Sequence, residues 1–418
     1  MHDWQDMSFE ATTASAASDL PYIPDTAECM RCGMCVSNCP TFRLFETDEE
    51  TPRRRIRSMS KVLLENQALD ADEHLHLNNC LQCRSCESFC PSHIAYGELF
   101  DKTLVKLNAG QPLRWQARLA FWLIEHKRWR NSLLPMLSLY LRSGLQRPLR
   151  ASGLLHKLQL ATVETLLSKP SLTSLSGIHP TSQRKRRGRA ALFTGCLAEN
   201  FDGDTQRAAI KVLNAIGYEV VVPEGQGCCG AIHLHNGRSA QKLIDNNIAA
   251  FYALEVEAVL FSSTGCGAML SQYDNQDAET AGWFQRHTQD INQFLLDHWP
   301  ENLQLAASNL NVAVHEPCSQ RNVLKNSQSV YALLRKIPGL NLEPLPDNHL
   351  CCGAGGSYLL THPENAERLR ELKRRAIEGC GADLVVSSNF GCMLHLNVNQ
   401  PLGSPRTVHP LQLLADRL

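Results

Sequence analysis

Two runs of cysteine carry the first chemistry. The first reads Cys29-Met-Arg-Cys32-Gly-Met-Cys35-Val-Ser-Asn-Cys39-Pro40, and the second reads Cys80-Leu-Gln-Cys83-Arg-Ser-Cys86-Glu-Ser-Phe-Cys90-Pro91. Both follow the spacing C-x2-C-x2-C-x3-C-P, which serves [4Fe–4S] clusters: three close thiolates converge on three irons of a cube, and the fourth reaches the other cluster. That crossing assigns Cys29, Cys32, Cys35 and Cys90 to one cluster, and Cys80, Cys83, Cys86 and Cys39 to a second. Structural zinc also uses C-x2-C pairs, but it explains neither the third cysteine nor the trailing Cys-Pro. A disulfide framework belongs to oxidising compartments. The chain opens on acidic Met1-His2-Asp3-Trp4-Gln5-Asp6 with no apolar run, so the expectation is a cytoplasmic protein without a secretory signal.

Nine further cysteines follow, and eight of them repeat. Cys196, the pair Cys228–Cys229 and Cys266 are echoed by Cys318, the pair Cys351–Cys352 and Cys392. The flanking segments repeat with them. Ala190 to Cys196 matches Asn311 to Cys318, helical Thr205 to Ile216 matches Gln328 to Ile337, and Ala258 to Cys266 matches Asp383 to Cys392. A repeat of this period marks two copies of one unit. Apolar strands alternating with helices predict largely parallel sheets, with the cysteines just past strand ends where such sheets hold ligands. Four thiolates per half suffice for one cubane or one zinc. Cys380 lies outside the repeat and reads as a buried thiol. Gly225-Gln-Gly227-Cys-Cys-Gly230 satisfies the dinucleotide pattern G-x-G-x-x-G, but the second copy keeps only its last glycine, so nucleotide binding is rejected.

The elements that position these groups divide the 418 residues into an N-terminal arm (1–25), a helical two-cluster domain (26–110), a basic helical region with linker (111–189), and two α/β halves (190–305 and 306–418). The fold class is therefore multidomain α+β. The net charge of −1 hides segregation: of 41 basic and 42 acidic side chains, 15 and 2 fall between Pro112 and Arg189. There Trp115, Leu119, Trp122, Trp129 and Leu133 form one helical stripe, interrupted by His126 and surrounded by Arg114, Arg118, Lys127, Arg128 and Arg130. Such a stripe suits either a membrane interface or packing on the neighbouring domain. No stretch approaches the ~20 apolar residues of a spanning helix.

Together the ferredoxin runs, the repeated Cys-Cys-Gly (CCG), and stretches such as Cys351 to Pro363 and Asn389 to His395 resemble the glycolate oxidase iron–sulfur subunit family. Related subunits serve D-lactate and glycerol-3-phosphate dehydrogenases. The resemblance implies an electron-transfer subunit, with FAD and glycolate oxidation on a partner flavoprotein and quinone as eventual acceptor. The aromatic stripe adds peripheral contact with the inner membrane as an expectation, and nucleic-acid binding is discounted because no recognition motif accompanies the basic cluster Arg184 to Arg189. A CCG-type thiol–disulfide reductase is the competing activity. The wider CCG family ends each half in C-x2-C, whereas Ser263 and Asn389 occupy the first of those positions here. The expectation is a third centre, cubane or zinc, held mainly by Cys318, Cys351, Cys352 and Cys392, with Cys196, Cys228, Cys229 and Cys266 holding zinc or nothing. Iron and acid-labile sulfide analysis checks the base of this reading: the two ferredoxin runs give about eight of each per chain, and fewer than about four would remove the two-cluster assignment.

Overall fold

The computed structural model describes residues 20–24, 29, 31–181, 183 and 185–418; of the expected N-terminal arm, residues 1–19 and 25 lie outside them. The helix expected to begin at Pro52 runs over Pro52–Leu63 with proline in its first turn, where the missing N–H is harmless. It packs on helix Tyr96–Leu107 through Ile56, Met59, Leu99 and Phe100, all at most 4% exposed. Burial of each such side chain contributes roughly 1.5–3 kcal/mol. Helix Ala71–Asn78 completes the layer, its start fixed by a capping box between Asp70 and Glu73. The two cysteine loops hang from this frame.

The basic region is helical but bent. Helix Trp115–Glu125 stops at His126, whose backbone leaves the helical range, and a second helix covers Lys127–Ser143. That helix continues through Pro135. Trp115, Trp129, Met136 and Leu139 are 56, 60, 68 and 70% exposed, so the aromatic stripe faces outward. The bend turns other residues inward. Arg130 is buried, with Nη2 3.7 Å from Glu199 Oε2, and Lys127 Nζ lies 2.9 Å from Glu199 Oε1. Among the described residues no helix is long and apolar enough to cross a membrane. The linker is not all loop, because Gly177–His179 forms a strand, β1.

The repeat folds as two sheets. In the first, β1 pairs antiparallel with β3 (Tyr218–Val222), and β2 (Gly188–Phe193), β4 (Ala258–Phe261) and β5 (Thr288–Asp290) continue in parallel, in the order β1-β3-β2-β4-β5. The second is wholly parallel, ordered β7 (Asn341–Pro344), β6 (Asn311–His315), β8 (Leu384–Ser387), β9 (Arg406–Val408). Their strands read Ala-Val-Leu-Phe and Leu-Val-Val-Ser because both faces are covered. One apolar core is shared: Leu192, Leu213 and Leu260 of the first half join Leu334, Val386 and Leu411 of the second. The opposite faces carry the cysteines, those of the second half being joined by Leu44, Leu81 and Cys83 from the cluster domain.

Helix Gly203–Ala215 starts beside Asp202, whose carboxyl is driven up to about 7 by burial despite the Thr205 hydroxyl donating to it at 2.6 Å. Between the ordinary carboxyl value and about 7 the unfolded chain ionises first, so stability is greatest at the acid end of that window and falls as pH rises through it. Asp202→Asn should abolish most of that fall, worth about 2–4 kcal/mol. Melting temperatures of both proteins at pH 4 and pH 8 check this: the gap in favour of the variant should be small at the lower pH and widen to its full size at the higher.

Candidate metal centres

In the second cysteine run, Gln82 and Arg84 take left-handed backbone (φ 52 and 54), as does Gly33 (φ 64) in the first. Gly33 follows Cys32 as Arg84 follows Cys83, so both loops turn at the same place. Only the second uses a side chain there, its Nη1 donating to Gln272 Oε1 at 3.2 Å. The turn brings Cys80, Cys83 and Cys86 onto one cavity shared with Cys39 of the first run, Arg55 and Tyr96. Burial, then Cys318 and Cys39, push the Cys83 thiol well up; burial, then Cys83, Cys80 and Cys39, do the same to Cys86. In the other set, burial, then Cys90 and Cys32, raise Cys29. Burial, with Cys29, Cys39 and Cys90 adding to it, takes Cys35 up to about 12. Cys90 thus stands with the first run and Cys39 with the second, while Cys35 feels both. Cys32 is exposed, Cys39 is buried, and the other six are half-buried.

Thiols so raised are poor anions unless positive charge arrives, and a bound metal deprotonates its thiols outright. The surroundings fit an anionic centre. Gln82 N–H donates to Cys80 Sγ at 3.4 Å, Tyr96 Oη lies 3.7 Å from the same sulfur, and Arg55 Nη1 is 3.8 Å from Cys39 Sγ. Arg55 is 2% exposed. Burial alone would lower its pKa, but Cys80, Tyr96, Cys39 and Glu50 hold it raised. It pairs with buried Glu50, whose carboxylate also accepts from Asn79 Nδ2 at 2.6 Å and sits 2.7 Å from His76 Nδ1. Sequence reasoning missed this network. Its signal was a charged residue on the buried stripe Arg55-Met59-Val62 of an otherwise amphipathic helix.

In the α/β halves the thiols form chains. Cys196 and Cys228, Cys228 and Cys229, and Cys229 and Cys266 act on one another's thiols in series. Cys318, Cys351, Cys352 and Cys392 repeat the series, with Cys352 Sγ and Cys392 Sγ 2.9 Å apart. Each half has its second cysteine steadied by a glycine N–H: Gly230 to Cys228 Sγ and Gly353 to Cys351 Sγ, both 3.4 Å. Gly227 N–H instead donates to Asn247 Oδ1 at 2.8 Å, which ties the G-x-G-x-x-G segment to the cysteine turn. Ser263 and Asn389 meet across the halves, Oγ donating to Oδ1 at 2.9 Å, while Asn389 Nδ2 donates to Cys392 Sγ at 3.2 Å. Cys380 is half-buried and donates to Ile377 O at 3.1 Å.

The halves are unequal. Buried Lys373 sits near Cys352 and Cys351, its pKa lowered to about 8 by burial against the pull of those thiols. The matching helix, Gln241–Tyr252, offers Asn247, which donates to Cys228 O at 2.8 Å. Gly355 and Gly356 take φ +47 and +63, and a Cβ on Gly355 would stand 2.7 Å from Tyr358 Cβ and 3.4 Å from Leu81. The glycine pair therefore lets this turn press against the second cysteine loop. Of the histidines near these cysteines, His233 bonds Glu125 at 2.9 Å and His395 bonds Ala366 O at 3.2 Å. His235 is held down to about 4 by burial and Arg84. His315, pushed well down by burial and by Lys373 and Arg321, lies among the thiols. Cys83 joins the two regions, since Asn322 Nδ2 donates to its carbonyl at 2.8 Å and Cys318 is the thiol that raises it most.

Two thiol sets under one helical frame, fused to paired cysteine-rich α/β halves, define an iron–sulfur electron-transfer subunit. The 4Fe-4S dicluster domain family matches residues 25–94, and the cysteine-rich domain family matches 190–271 and 312–397. The probable glycolate oxidase iron–sulfur subunit of Bacillus subtilis is 32% identical, covering 93% of this chain and 93% of its own. Its Escherichia coli counterpart is 31% identical over 88% of this chain and 89% of its own. Lactate utilization protein A of Halalkalibacterium halodurans is 30% identical over 50% of this chain and 88% of its own. The chain belongs to the glycolate oxidase iron–sulfur subunit family.

Two outcomes follow from the site. Cys90→Ser should delete the same reduced [4Fe–4S] EPR signal as Cys35→Ser, and a different one from Cys83→Ser, although Cys90 belongs to the second run. Arg55→Met leaves Glu50 charged and short of its cation, which should cost roughly 3–5 kcal/mol. Denaturant unfolding of the iron-loaded protein measures that loss.

Proposed function

We propose that this chain receives electrons from a separate flavoprotein that oxidises glycolate to glyoxylate and delivers them toward quinone. The observation that carries the reading is the pair of adjacent thiol sets, one reaching the surface at Cys32 and the other holding buried Cys39 and standing beside Cys318. Cys29, Cys32, Cys35 and Cys90 hold one [4Fe–4S] cluster; Cys80, Cys83, Cys86 and Cys39 hold the other. Such clusters, when bound, supply one-electron carriage at potentials set by their surroundings. This chain's own residues set those surroundings. Arg55, Tyr96 and the Gln82 N–H donate toward the sulfurs of the second set and favour its more negative, reduced state. Leu81, Leu44 and the second half exclude water from it. FAD belongs to the partner, as does the choice of glycolate over D-lactate or glycerol-3-phosphate.

The exposed Trp115, Trp122, Trp129 and Leu133 stripe, flanked by exposed Arg118 and Arg128, supports peripheral docking at the inner membrane, where aromatic rings and basic side chains bind lipid together. Two experiments test the proposal. Copurification with the flavoprotein should give glycolate-dependent quinone reduction that disappears without this chain; turnover by the flavoprotein alone at the same rate would remove the relay role. Changing Trp122 and Trp129 to Ala with Arg118 and Arg128 to Glu should release the complex into the soluble fraction, and unchanged membrane association would contradict the docking face. Arg130 and Lys127 are left intact because they pair with Glu199.

A further inference from the structure

The two cysteine runs can be laid on one another position by position. Directly before the third ligand the first run has Met34 and the second has Ser85; directly before the fourth they have Asn38 and Phe89. The large apolar member of each pair falls beside the same cluster. Met34 adjoins Cys35, Phe89 adjoins Cys90, and Cys90 acts on Cys35 through charge. The polar members, Ser85 and Asn38, adjoin Cys86 and Cys39 of the other set. Their exposure differs to match: Met34 is 57% and Phe89 44% exposed, whereas Ser85 is 3% exposed and Asn38 is half-buried.

The fold accounts for the polar pair. Helix Ser85–Ser88 packs against Ser319–Leu324 of the second half, and Asn322 Nδ2 donates to the Cys83 carbonyl at 2.8 Å. A small side chain fits under that cover. The described residues give Met34 and Phe89 no such cover. One exposed apolar side chain would need no explanation. These two come from separate loops and flank the cluster whose ligand Cys32 is itself exposed. Charge is kept away from them. In the second run Arg84 lies 3.9 Å from Glu87 and donates to Gln272, while Glu87 Oε1 accepts from the Gly97 N–H at 2.9 Å. Arg31 is the only charged residue of the first run. Methionine and an aromatic ring with charge depleted around them compose the core of a protein–protein interface. Redox encounters use small interfaces, below about 1,200 Å².

We propose that Met34 and Phe89 form the centre of the surface on which the flavin-bearing partner docks, so that electrons enter this chain at the cluster held by Cys29, Cys32, Cys35 and Cys90. The inference rests on the electron-relay reading and adds where the donor binds and which cluster it reduces first. Both side chains project from the surface, where a protein can cover them and exclude water from the exposed ligand; a small quinone cannot. Each transfer moves one electron: the reduced flavin is oxidised by one electron, its proton passing to solvent, and the oxidised cluster is reduced by the same electron.

The test uses the full iron-loaded chain with the flavoprotein that copurifies with it. Met34→Asp combined with Phe89→Asp should weaken their association by about 10-fold or more, the loss expected when central side chains of an interface are replaced. Glycolate-driven reduction of the clusters should slow with it at limiting flavoprotein. Reduction by dithionite and both [4Fe–4S] EPR signals should stay as in the unaltered chain, which reports folding. Leu402→Asp, at a fully exposed apolar residue of the second half, should leave association unchanged. A photo-crosslinking amino acid in place of Phe89 should capture the flavin-bearing chain. Unaltered association in the double variant, an equal loss in Leu402→Asp, or a crosslink that captures no flavin-bearing chain would each overturn the proposal. Failure of the relay reading looks different: glycolate then reduces neither cluster even in the unaltered complex, whatever its association.

Discussion

The structure depends on the concentration of thiolate charge inside it. Eight cysteines converge beneath one helical layer, and eight more are packed against the α/β sheets. Each of the clearly shifted thiols is pushed toward its neutral form by burial and by the others. Metal charge is the main offset, and the protein adds its own. Arg55 stands between Cys39 and Cys80, and Lys373 beside Cys351 and Cys352. Neither cation is free to drift. Arg55 is held by Glu50, Thr41 and the His76 carbonyl, and Lys373 by the Asp347 carbonyl. Removing either would leave negative charge buried without a partner, which is why these residues matter more than their number suggests.

The repeat makes a scaffold, and its departures from symmetry make the site. The halves share a core, and polar contacts cross between them: His409 Nε2 of the second donates to the Ser262 carbonyl of the first (2.7 Å), and Asn292 of the first donates to Ser388 Oγ (3.3 Å). Ser263 and Asn389 meet at the same junction. Where the wider cysteine-rich family would set another thiolate, this chain sets a hydrogen bond between halves. The unequal features gather on one side. His315, Lys373 and the Gly355–Gly356 turn all belong to the second half, the half that touches the second cluster loop through Leu81 and Cys83.

Much of this was legible in the sequence because ligand spacing and strand periodicity are local. The two runs, the repeated Cys-Cys-Gly and the parallel sheets could be read from residue order alone. Arg55 was hidden in a run of arginines, and only its place on the stripe with Met59 and Val62 marked it as buried. Arg130 was read with the solvated arginines, but the backbone break at His126 rotates it onto Glu199. Residues 170 to 189 read as linker because Gly177–His179 is a three-residue edge strand with no alternating pattern. The contrast of Met34 and Phe89 with Ser85 and Asn38 was present in the two runs laid side by side. It gained meaning only when the fold covered Ser85 and left Met34 and Phe89 exposed.

The most direct test of the account is freeze-quench EPR on the complete complex mixed with glycolate and no other reductant. The account predicts that reduced [4Fe–4S] signals arise within turnover, and that Cys83→Ser loses the signal of the set that holds Cys39 while the signal of the set at Cys32 remains. A flavin radical alone, with the clusters staying oxidised to glycolate yet reducible by dithionite, would contradict it.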